Sequence, residues 1–339
     1  MKNLKVFCSK NKISMMYTAG ILIFGLSAVL GVLFGSAQLS FQDIINAVKH
    51  GFDSSPEARI FGFVRLPRTV ASLVCGGALA VSGAVIQNVL NNQLASPSVI
   101  GVNSGAGLAV TLCTAFGVYG GWQLPLFSFL GAFLTVMLVS FGAKKWGASR
   151  GTVILMGVAL NSLLGAISDS VITFVPEVGV MSNDFKIGEF SAVTYSVLLP
   201  ALFTVVVGFV LLLLLSNDLD IIQLGEDNAK TLGMNVKLTT TILLMLSALL
   251  AGCAVSIAGL LSFVGLIVPH IVRRFSVCKS IHLIALSGLF GGGFVCLCDT
   301  LARTLFTPYE IPVGIIMAFL GAPFFIFLLL KGKGGHKNA

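Results

Sequence analysis

Charged side chains are scarce in this sequence. Asp, Glu, Lys and Arg make up 10% of its 339 residues, against about a quarter in an ordinary soluble domain. Hydrophobic residues make up 56%, and the mean hydropathy is +0.99. This composition excludes a typical soluble globular protein and predicts an all-α protein of the membrane.

Motifs that carry catalysis or hold a cofactor are also missing. The sequence contains no GxxxxGK[ST], GxSxG or HExxH pattern, so it predicts no P-loop ATP site and no catalytic residue. The seven cysteines lack CxxC spacing and the four histidines are scattered, which predicts no disulfide framework, no metal site and no cofactor. His270, beside Pro269, could be a ligand or proton carrier, but we expect it to cap backbone carbonyls at a broken helix end.

Long apolar runs are what the chain has instead, and their lengths suit about ten membrane-spanning helices. The eighth run has thirteen residues and is too short to cross alone. The runs are Ile13–Gly35, Arg65–Asn88, Ser98–Tyr119, Leu124–Ala143, Gly151–Phe174, Tyr195–Ser216, Leu238–Ala258, Leu260–Val272, Ile281–Leu305 and Ile311–Leu330.

The placement of lysine and arginine predicts the orientation. With ten spans, both termini lie on one side, and most of the 21 basic residues fall on that side, which predicts that both termini are cytoplasmic. The formal charge of +8 therefore reflects topology, and we expect no nucleic-acid partner. The segment Ala80–Ala84 resembles Ala254–Ala258, a weak repeat that suits two inverted five-helix halves.

The most polar stretch between two apolar runs is Asn217–Lys237, which the predicted topology places in the cytoplasm. Glu226 and Asp227 suit a helix N-terminus, and Gly233 suits a helix end with positive φ. Ala229 and Leu232, three residues apart, would give this short helix an apolar face. The segment is either a solvated connector or, as we expect, a docking site for a soluble partner.

Three arginines depart from the usual concentration of basic residues on the cytoplasmic side. Arg65, Arg68 and Arg303 fall at the predicted outer ends of spans. They could form a patch that docks an acidic partner, since guanidinium groups bind carboxylates well. A structural role is the alternative, above all for Arg303, which Asp299 precedes by four residues. Polar residues cluster also at Asn88–Gln93, where a simple polar turn is favoured.

Two polar residues in the fifth run are candidates for a transport pathway. Asn161 falls in the middle of this run and Asp169 nearer its outer end. Ionisable groups inside spans usually face a cavity or the protein interior. We expect Asn161 to be the better pathway candidate and Asp169 to lie on a wetted rim.

Several motifs in one order resemble the iron-siderophore, haem and vitamin B12 permease family of ABC importers, the FecCD type. The resemblance runs from about Arg65 to Leu330, and it departs from the family pattern at Gln93 and Leu260, where a proline is usual. The motifs are RLPR at 65–68, GGALAVSGAVIQ at 76–87, the segment 92–97, GEFSAVTY at 188–195, LGEDNAKTLG at 224–233, FVGLIVPHIVR at 263–273 and IPVGIIMAFLGAPFFIFLL at 311–329.

This resemblance implies a single transmembrane permease domain, residues 1–339, in the cell membrane. It implies a second permease subunit, identical or different, two ATPase subunits and an extracytoplasmic solute-binding protein. Residues 217–237 become the cytoplasmic coupling loop, and Arg65, Arg68 and Arg303 the docking residues for the binding protein. The residues that match the ATPase contact are Gly225, Glu226, Asp227, Ala229, Leu232 and Gly233.

The resulting hypothesis is a non-enzymatic permease subunit of an ATP-driven importer, with iron(III)-siderophore as the expected substrate. Haem, cobalamin and an oxyanion stay open as substrates. The alternative function is an ion- or proton-coupled secondary transporter, which would need a buried carboxylate relay; only Asp169 and Asp299 are available for one. A membrane-embedded enzyme would need paired catalytic groups, which the sequence does not show.

Overall fold

The protein is described from a computed structural model that covers residues 10–37, 39–145, 150–275 and 279–332. The secondary structure of these residues is helical. The elements in chain order are α1 (Lys10–Leu33), α2 (Phe41–His50), α3 (Pro56–Arg59), a π-helical segment (Ile60–Arg65), α4 (Leu66–Val89), α5 (Val102–Ala115), α6 (Gln123–Lys145), α7 (Arg150–Phe174), α8 (Val178–Ile187), α9 (Tyr195–Leu214), α10 (Ser216–Gln223), α11 (Glu226–Thr231), α12 (Val236–Ala258), α13 (Val264–Arg274), α14 (Ser280–Thr304) and α15 (Val313–Gly332).

Each predicted apolar run overlaps one of the helices α1, α4, α5, α6, α7, α9, α12, α13, α14 and α15, with ends that differ by at most four residues. Seven segments within the described residues are long and apolar enough to cross a membrane, and α5 and α15 add shorter apolar helices. The prediction of an all-α membrane protein is confirmed. The number of crossings, the inverted halves and the side of the termini stay predictions.

The eighth run forms α13, which has 11 residues and so is too short to span a bilayer alone, as expected. It continues through Pro269 and His270 to Arg274. His270 is half-buried inside this helix. The predicted helix end beside Pro269 is therefore wrong, and with it the reason for expecting His270 to be a cap.

Helix α4 lies at the centre of the fold, packed mainly against α14 and α12. Small residues allow the backbones to approach closely: a Cβ added to Gly76 would lie 2.3 Å from the carbonyl oxygen of Gly291 on α14. A Cβ on Gly83 would lie 2.0 Å from the carbonyl oxygen of Gly265 on α13. Small residues at these positions therefore let the helices pack closely.

The chain turns sharply at both departures from the family pattern. Before Gln93, α4 ends at Val89 and Asn91 adopts a φ of 47°. Before Leu260, α12 ends at Ala258 and Gly259 adopts a φ of 68°. Positive φ at these positions ends the helices without the usual prolines.

Helices α4 and α14 connect the two ends of the bundle. We call the end at which α10 and α11 lie the coupling end, and the end at which Arg65, Arg68 and Arg303 lie the arginine end. Helix α4 begins at the arginine end and finishes at the coupling end, and α14 runs in the opposite direction. Both ends of this helix pair carry polar side chains that are buried.

Candidate functional site

The coupling segment, residues 217–237, forms two short helices, α10 and α11. Helix α11 begins at Glu226, so Glu226 and Asp227 occupy its first turn as predicted. Gly233, as predicted, has a positive φ, 80°, and Gly225 before the helix has a φ of 102°. The two glycines bracket the helix at positions where residues with a side chain would be strained.

The apolar face predicted for α11 is divided. Ala229 is fully buried, so its part of the apolar face packs within the chain. Leu232 is 63% exposed, and Leu224, just before the helix, is 58% exposed. The surface of the segment therefore presents two leucines, while Ala229 holds the helix against the rest of the chain. Leu224 lies in the LGEDNAKTLG motif, but periodicity within α11 could not reveal it because it precedes the helix.

Glu226 and Lys230 form an ion pair across one turn of α11, with 2.9 Å between Oε1 and Nζ. The hydrogen bond and charge of Glu226, with the charge of Asp227, raise the pKa of Lys230. Both side chains are more than half exposed, so solvent screens the pair strongly. The pair orders the surface of α11 and leaves Leu232 exposed.

Helix α10 is tied to α14 by hydrogen bonds at Ser280. The Oδ1 atom of Asp220 accepts from the backbone N–H of Ser280 at 2.8 Å. Gln223 donates its side-chain amide to the Ser280 hydroxyl at 3.0 Å. Asp220 thus places a negative charge at the N-terminus of α14, where unpaired backbone N–H groups favour an anion.

The same hydroxyl connects to α4 and α13. Asn88 on α4 donates to Ser280 Oγ at 3.4 Å and accepts from Arg273 at 2.8 Å. Arg273 also donates to Gln87, whose amide donates to the carbonyl oxygen of Gly265 at 2.8 Å. We call these six side chains, Gln87, Asn88, Asp220, Gln223, Arg273 and Ser280, the inner network.

The structure corrects the interpretation of Asn88 as part of a polar turn. Asn88 and Gln87 are both buried in the last turn of α4. The sequence did contain a signal for this burial: Gln87 and Asn88 are the last two residues of the apolar run Arg65–Asn88, so they belong to the helix and not to the turn after it. Their partner Arg273 is 186 residues away from Gln87, and no spacing rule predicts that contact.

The three candidate docking arginines are buried at the arginine end. Arg68 and Arg303 both pair with Asp299, at 3.0 Å and 3.1 Å, and each of the three side chains is at most 6% exposed. The structural alternative for Arg303, an ion pair with Asp299 along the helix, is confirmed. An exposed patch at these positions is not what the structure shows, because the guanidinium groups are paired within the chain.

Arg65 reaches the end of α1 instead. It donates to the carbonyl oxygens of Val32 at 3.1 Å, Leu33 at 2.7 Å and Ala37. Cations favour the C-terminus of a helix, where carbonyl groups lack helical partners. Arg65 therefore fastens α1 to the start of α4.

Glu310, in the connection before α15, completes this arrangement. It accepts from Arg68 at 2.7 Å and from Ser36 at 2.6 Å. Burial alone would raise the pKa of Glu310, but these two hydrogen bonds and the charges of Arg68 and Arg303 lower it. We call Arg68, Asp299, Arg303 and Glu310 the outer network.

The two pathway candidates on α7 have different surroundings. Asn161 is half-buried, accepts from Ser104 at 2.5 Å and donates to the carbonyl oxygens of Ser98 and Val99 at 2.9 Å and 3.3 Å. Asp169 is 72% exposed and pairs with Lys186 at 3.4 Å. Asn161 therefore attaches α7 to the turn before α5, and Asp169 is the accessible group of the two. Both stay predictions as pathway residues.

Exposed polar residues follow one face of α7. Ser162, Asp169 and Thr173 recur at helical spacing, and all three are exposed. Nearer the coupling end the same face carries Leu155, 69% exposed, and Val158, 49% exposed. Serine and aspartate are costly in contact with lipid tails. This face is therefore suited to water or to another protein along its polar half.

Apolar helices of spanning length around a close-packed centre, with a polar helical segment at one end, indicate an integral multi-pass membrane protein. The chain belongs to the FecCD transport family, whose model matches residues 21–331. It is an ABC transporter permease.

Named relatives cover almost all of the chain. It is 34% identical to the hemin transport system permease protein HmuU of Yersinia pestis, over 88% of this chain and 90% of the relative. It is 33% identical to the iron-uptake system permease protein FeuB of Bacillus subtilis, over 92% of this chain and 94% of the relative. It is 33% identical to the vitamin B12 import system permease protein BtuC of Yersinia pseudotuberculosis, over 94% of this chain and 93% of the relative.

A solved structure has the same fold over nearly its whole length. A transporter described as metal-chelate type, in an inward-facing conformation, superposes with a TM-score of 0.83 at 30% identity. The match covers 94% of this chain and 99% of the other. The fold expected from the resemblance is thus observed in a relative.

Proposed function

We propose that this chain is the membrane permease subunit of an ATP-driven importer of metal chelates, with iron(III)-siderophore as its substrate. The family membership supports the importer class. The relatives named for hemin, iron and vitamin B12 support a large metal-containing substrate. The whole chain would act as one transmembrane domain of the cell membrane, and ATP would be hydrolysed by separate subunits.

The observation that carries this proposal is the construction of the coupling segment. It exposes Leu224 and Leu232 at its surface, and α10 is bonded to the N-terminus of α14 through Asp220 and Ser280. An ATPase subunit that binds the leucines would pull on α14 and, through Asn88, on α4. Partner subunits shift a permease between states only when they bind the states with different affinity. A segment bonded to two central helices would give the ATPase subunits a contact that differs between the two states.

The pathway would follow the exposed face of α7 at the contact with a second permease subunit. Ser162, Asp169 and Thr173 would line its wet part, and Leu155 and Val158 would close it towards the coupling end. Such a path keeps the polar side chains away from lipid.

Docking of an extracytoplasmic binding protein at the arginine end stays a prediction. Arg65, Arg68 and Arg303 are buried here, so they would act by positioning the groups around them unless docking releases them. Glu310, whose side chain is 31% exposed, is the acidic group that a docking carboxylate would have to replace on Arg68. The secondary-transporter alternative gains no support from Asp299, because two arginines pair with this carboxylate.

The coupling role can be tested with Leu232→Asp. We expect the variant to fold, because Leu232 is 63% exposed, but to lose binding of the ATPase subunits and with it most substrate uptake. A charge placed in an apolar contact must be desolvated without a partner, which is costly. The measurements are co-purification of the ATPase subunits and uptake of labelled iron chelate by reconstituted vesicles.

Leu305→Asp is the matched control, since Leu305 is 55% exposed at the opposite end of α14. We expect it to retain the ATPase subunits. Normal co-purification and uptake in Leu232→Asp would refute the coupling role. Uptake of hemin or cobalamin in place of an iron-siderophore would leave that role intact and correct the substrate.

A further inference from the structure

The short helix α2 has one apolar stripe that is not covered by any part of the chain that the structure describes. The helix is firmly started: Ser40 accepts from the backbone of Gln42, and Asp43 accepts from the backbone N–H of Ser40 at 2.8 Å. These reciprocal bonds form a capping box. Helix α2 was not among the predicted apolar runs, because its apolar residues alternate with polar ones.

Three faces follow from the sequence of α2 at 100° per residue. Ala47 is fully buried and, with the half-buried Ile44, packs against the body of the protein. The next face carries Phe41 (69% exposed), Ile45 (36%) and Val48 (68%). The third face is polar and exposed and consists of Gln42, Asn46, Lys49 and His50.

The packing partners of α2 indicate how deep this helix would lie in a membrane. Its buried face belongs to a cluster that includes Val32, in the last turn of α1, and Leu66, the first residue of α4. Both α1 and α4 belong to segments with the length and hydropathy of membrane spans. Val32 lies next to the last residue of the first of these segments, and Leu66 lies within the second, Pro56–Val89, whose 34 residues are more than a bilayer core needs. Helix α2 therefore lies beside the end of the first span, where a bilayer passes from hydrocarbon to headgroups.

Apolar side chains at the same end of α1 are exposed as well. Val29 on α1 is 53% exposed and Phe34, just after α1, is 52% exposed. Only 22% of the apolar window of this spanning helix is buried within the protein, so most of its surface is available to lipid. The stripe on α2 therefore lies at the end of a span that itself exposes apolar side chains.

We propose that α2 is an interfacial membrane helix, which lies along the protein–lipid boundary of the leaflet at the arginine end. One face packs on the protein, Phe41, Ile45 and Val48 enter the lipid, and the polar face meets water. Lys49, at the edge of the polar face, extends to lipid phosphates, as basic residues at membrane surfaces do. In the predicted orientation this is the outer leaflet.

The inference differs from the proposed function, since it concerns the lipid contact and not the transport path. An extracytoplasmic protein is the other class of occupant for this stripe. Lipid is favoured because the buried face of α2 packs against Val32, in the last turn of a candidate span whose surface is mostly exposed. A protein partner would leave Phe41 and Val48 in water whenever the partner is absent, which is unfavourable for an exposed apolar stripe.

The test uses tryptophan fluorescence of the full chain in lipid nanodiscs, with Trp122 and Trp146 replaced by Phe. Phe41→Trp places the probe on the stripe, and Asn46→Trp, on the polar face of the same helix, is the matched control. We expect emission at shorter wavelength and several-fold stronger quenching by phospholipids brominated near the carbonyl for Phe41→Trp. Aqueous iodide should quench Asn46→Trp several-fold more than Phe41→Trp.

Equal iodide quenching of the two probes would overturn the proposal. Shielding of Phe41→Trp that requires an added binding protein would also overturn it and would assign the stripe to that protein. If Phe41→Trp does not fold, Val48→Trp places the probe on the same stripe about two helical turns further along α2. A result for α2 leaves the coupling role of Leu232 untouched, so the two proposals fail separately.

Discussion

The two ends of the α4–α14 helix pair are held by different chemistry. At the arginine end, the outer network joins Arg68, Asp299 and Arg303 through ion pairs of 3.0 Å and 3.1 Å among side chains that are at most 6% exposed. At the coupling end, the inner network relies on amide and hydroxyl groups around Ser280. Its charged members, Asp220 and Arg273, bond to neutral partners.

The difference predicts which end can move. Removal of one partner from a buried ion pair costs about 3–5 kcal/mol, because a buried charge is left without compensation. A hydrogen bond of the inner network contributes less: about 0.5–1.5 kcal/mol net between neutral groups and about 1.5–3 kcal/mol with a charged partner, because folding forms it in exchange for hydrogen bonds to water. The arginine end is therefore suited to act as a fixed point, and the coupling end to exchange partners when the ATPase subunits act.

Asp299→Ala should have the largest effect on stability. It leaves Arg68 and Arg303 buried without their shared carboxylate, so we expect a loss of about 3–5 kcal/mol. Asp169→Ala is the control, because Asp169 is 72% exposed in its pair with Lys186 and should cost less than about 1 kcal/mol. Thermal melting in detergent measures both. Equal melting temperatures for the two variants would show that the outer network is not the fixed point.

Asp220→Ala should have an intermediate effect on stability and a larger one on coupling. Loss of the hydrogen bond between the carboxylate and the Ser280 backbone should cost about 1.5–3 kcal/mol, the usual range for a charged partner. We expect more ATP to be hydrolysed per substrate imported, because α10 is no longer attached to α14. Asp218→Ala, two residues away on α10, is the control. An unchanged number of ATP molecules hydrolysed per substrate imported would show that the inner network does not contribute to coupling.

Glu310→Gln should have the smallest effect, about 1 kcal/mol at neutral pH, since Asp299 still pairs with Arg68. The pKa of Glu310 is lowered in the folded protein, so its contribution is present above the ordinary glutamate pKa of about 4.3 and is lost on acidification. The melting temperatures of wild type and Glu310→Gln should converge as the pH falls below that value. A constant difference down to acidic pH would show that the charge of Glu310 is not involved.

Local patterns were sufficient for much of the fold and part of the site. Apolar runs of spanning length predicted the helices, and glycine with flanking acids predicted the ends of α11 at Glu226 and Gly233. The i,i+4 spacing predicted the pair of Asp299 and Arg303. Each of these features depends on residues within a few positions of one another.

Features that depend on distant residues could not be predicted from local patterns. Arg68 is buried against Asp299 and Glu310, which are 231 and 242 positions away in the chain. Ala229 is fully buried while Leu232 is exposed, and the spacing within α11 does not show this difference. Asn161 stays a pathway candidate, but its hydrogen bonds to Ser98 and Val99 in the turn before α5 join residues more than 60 positions apart.

The sequence by itself determined the class of this protein, since hydropathy, charge placement and ordered motifs follow from the chemistry of single residues and their near neighbours. Only the tertiary structure decided which polar groups are exposed, because burial depends on which helices pack together. It paired the arginines at one end, joined Asp220 to Ser280 at the other, and left the stripe of Phe41 uncovered. These contacts join parts of the chain whose separation no local pattern encodes.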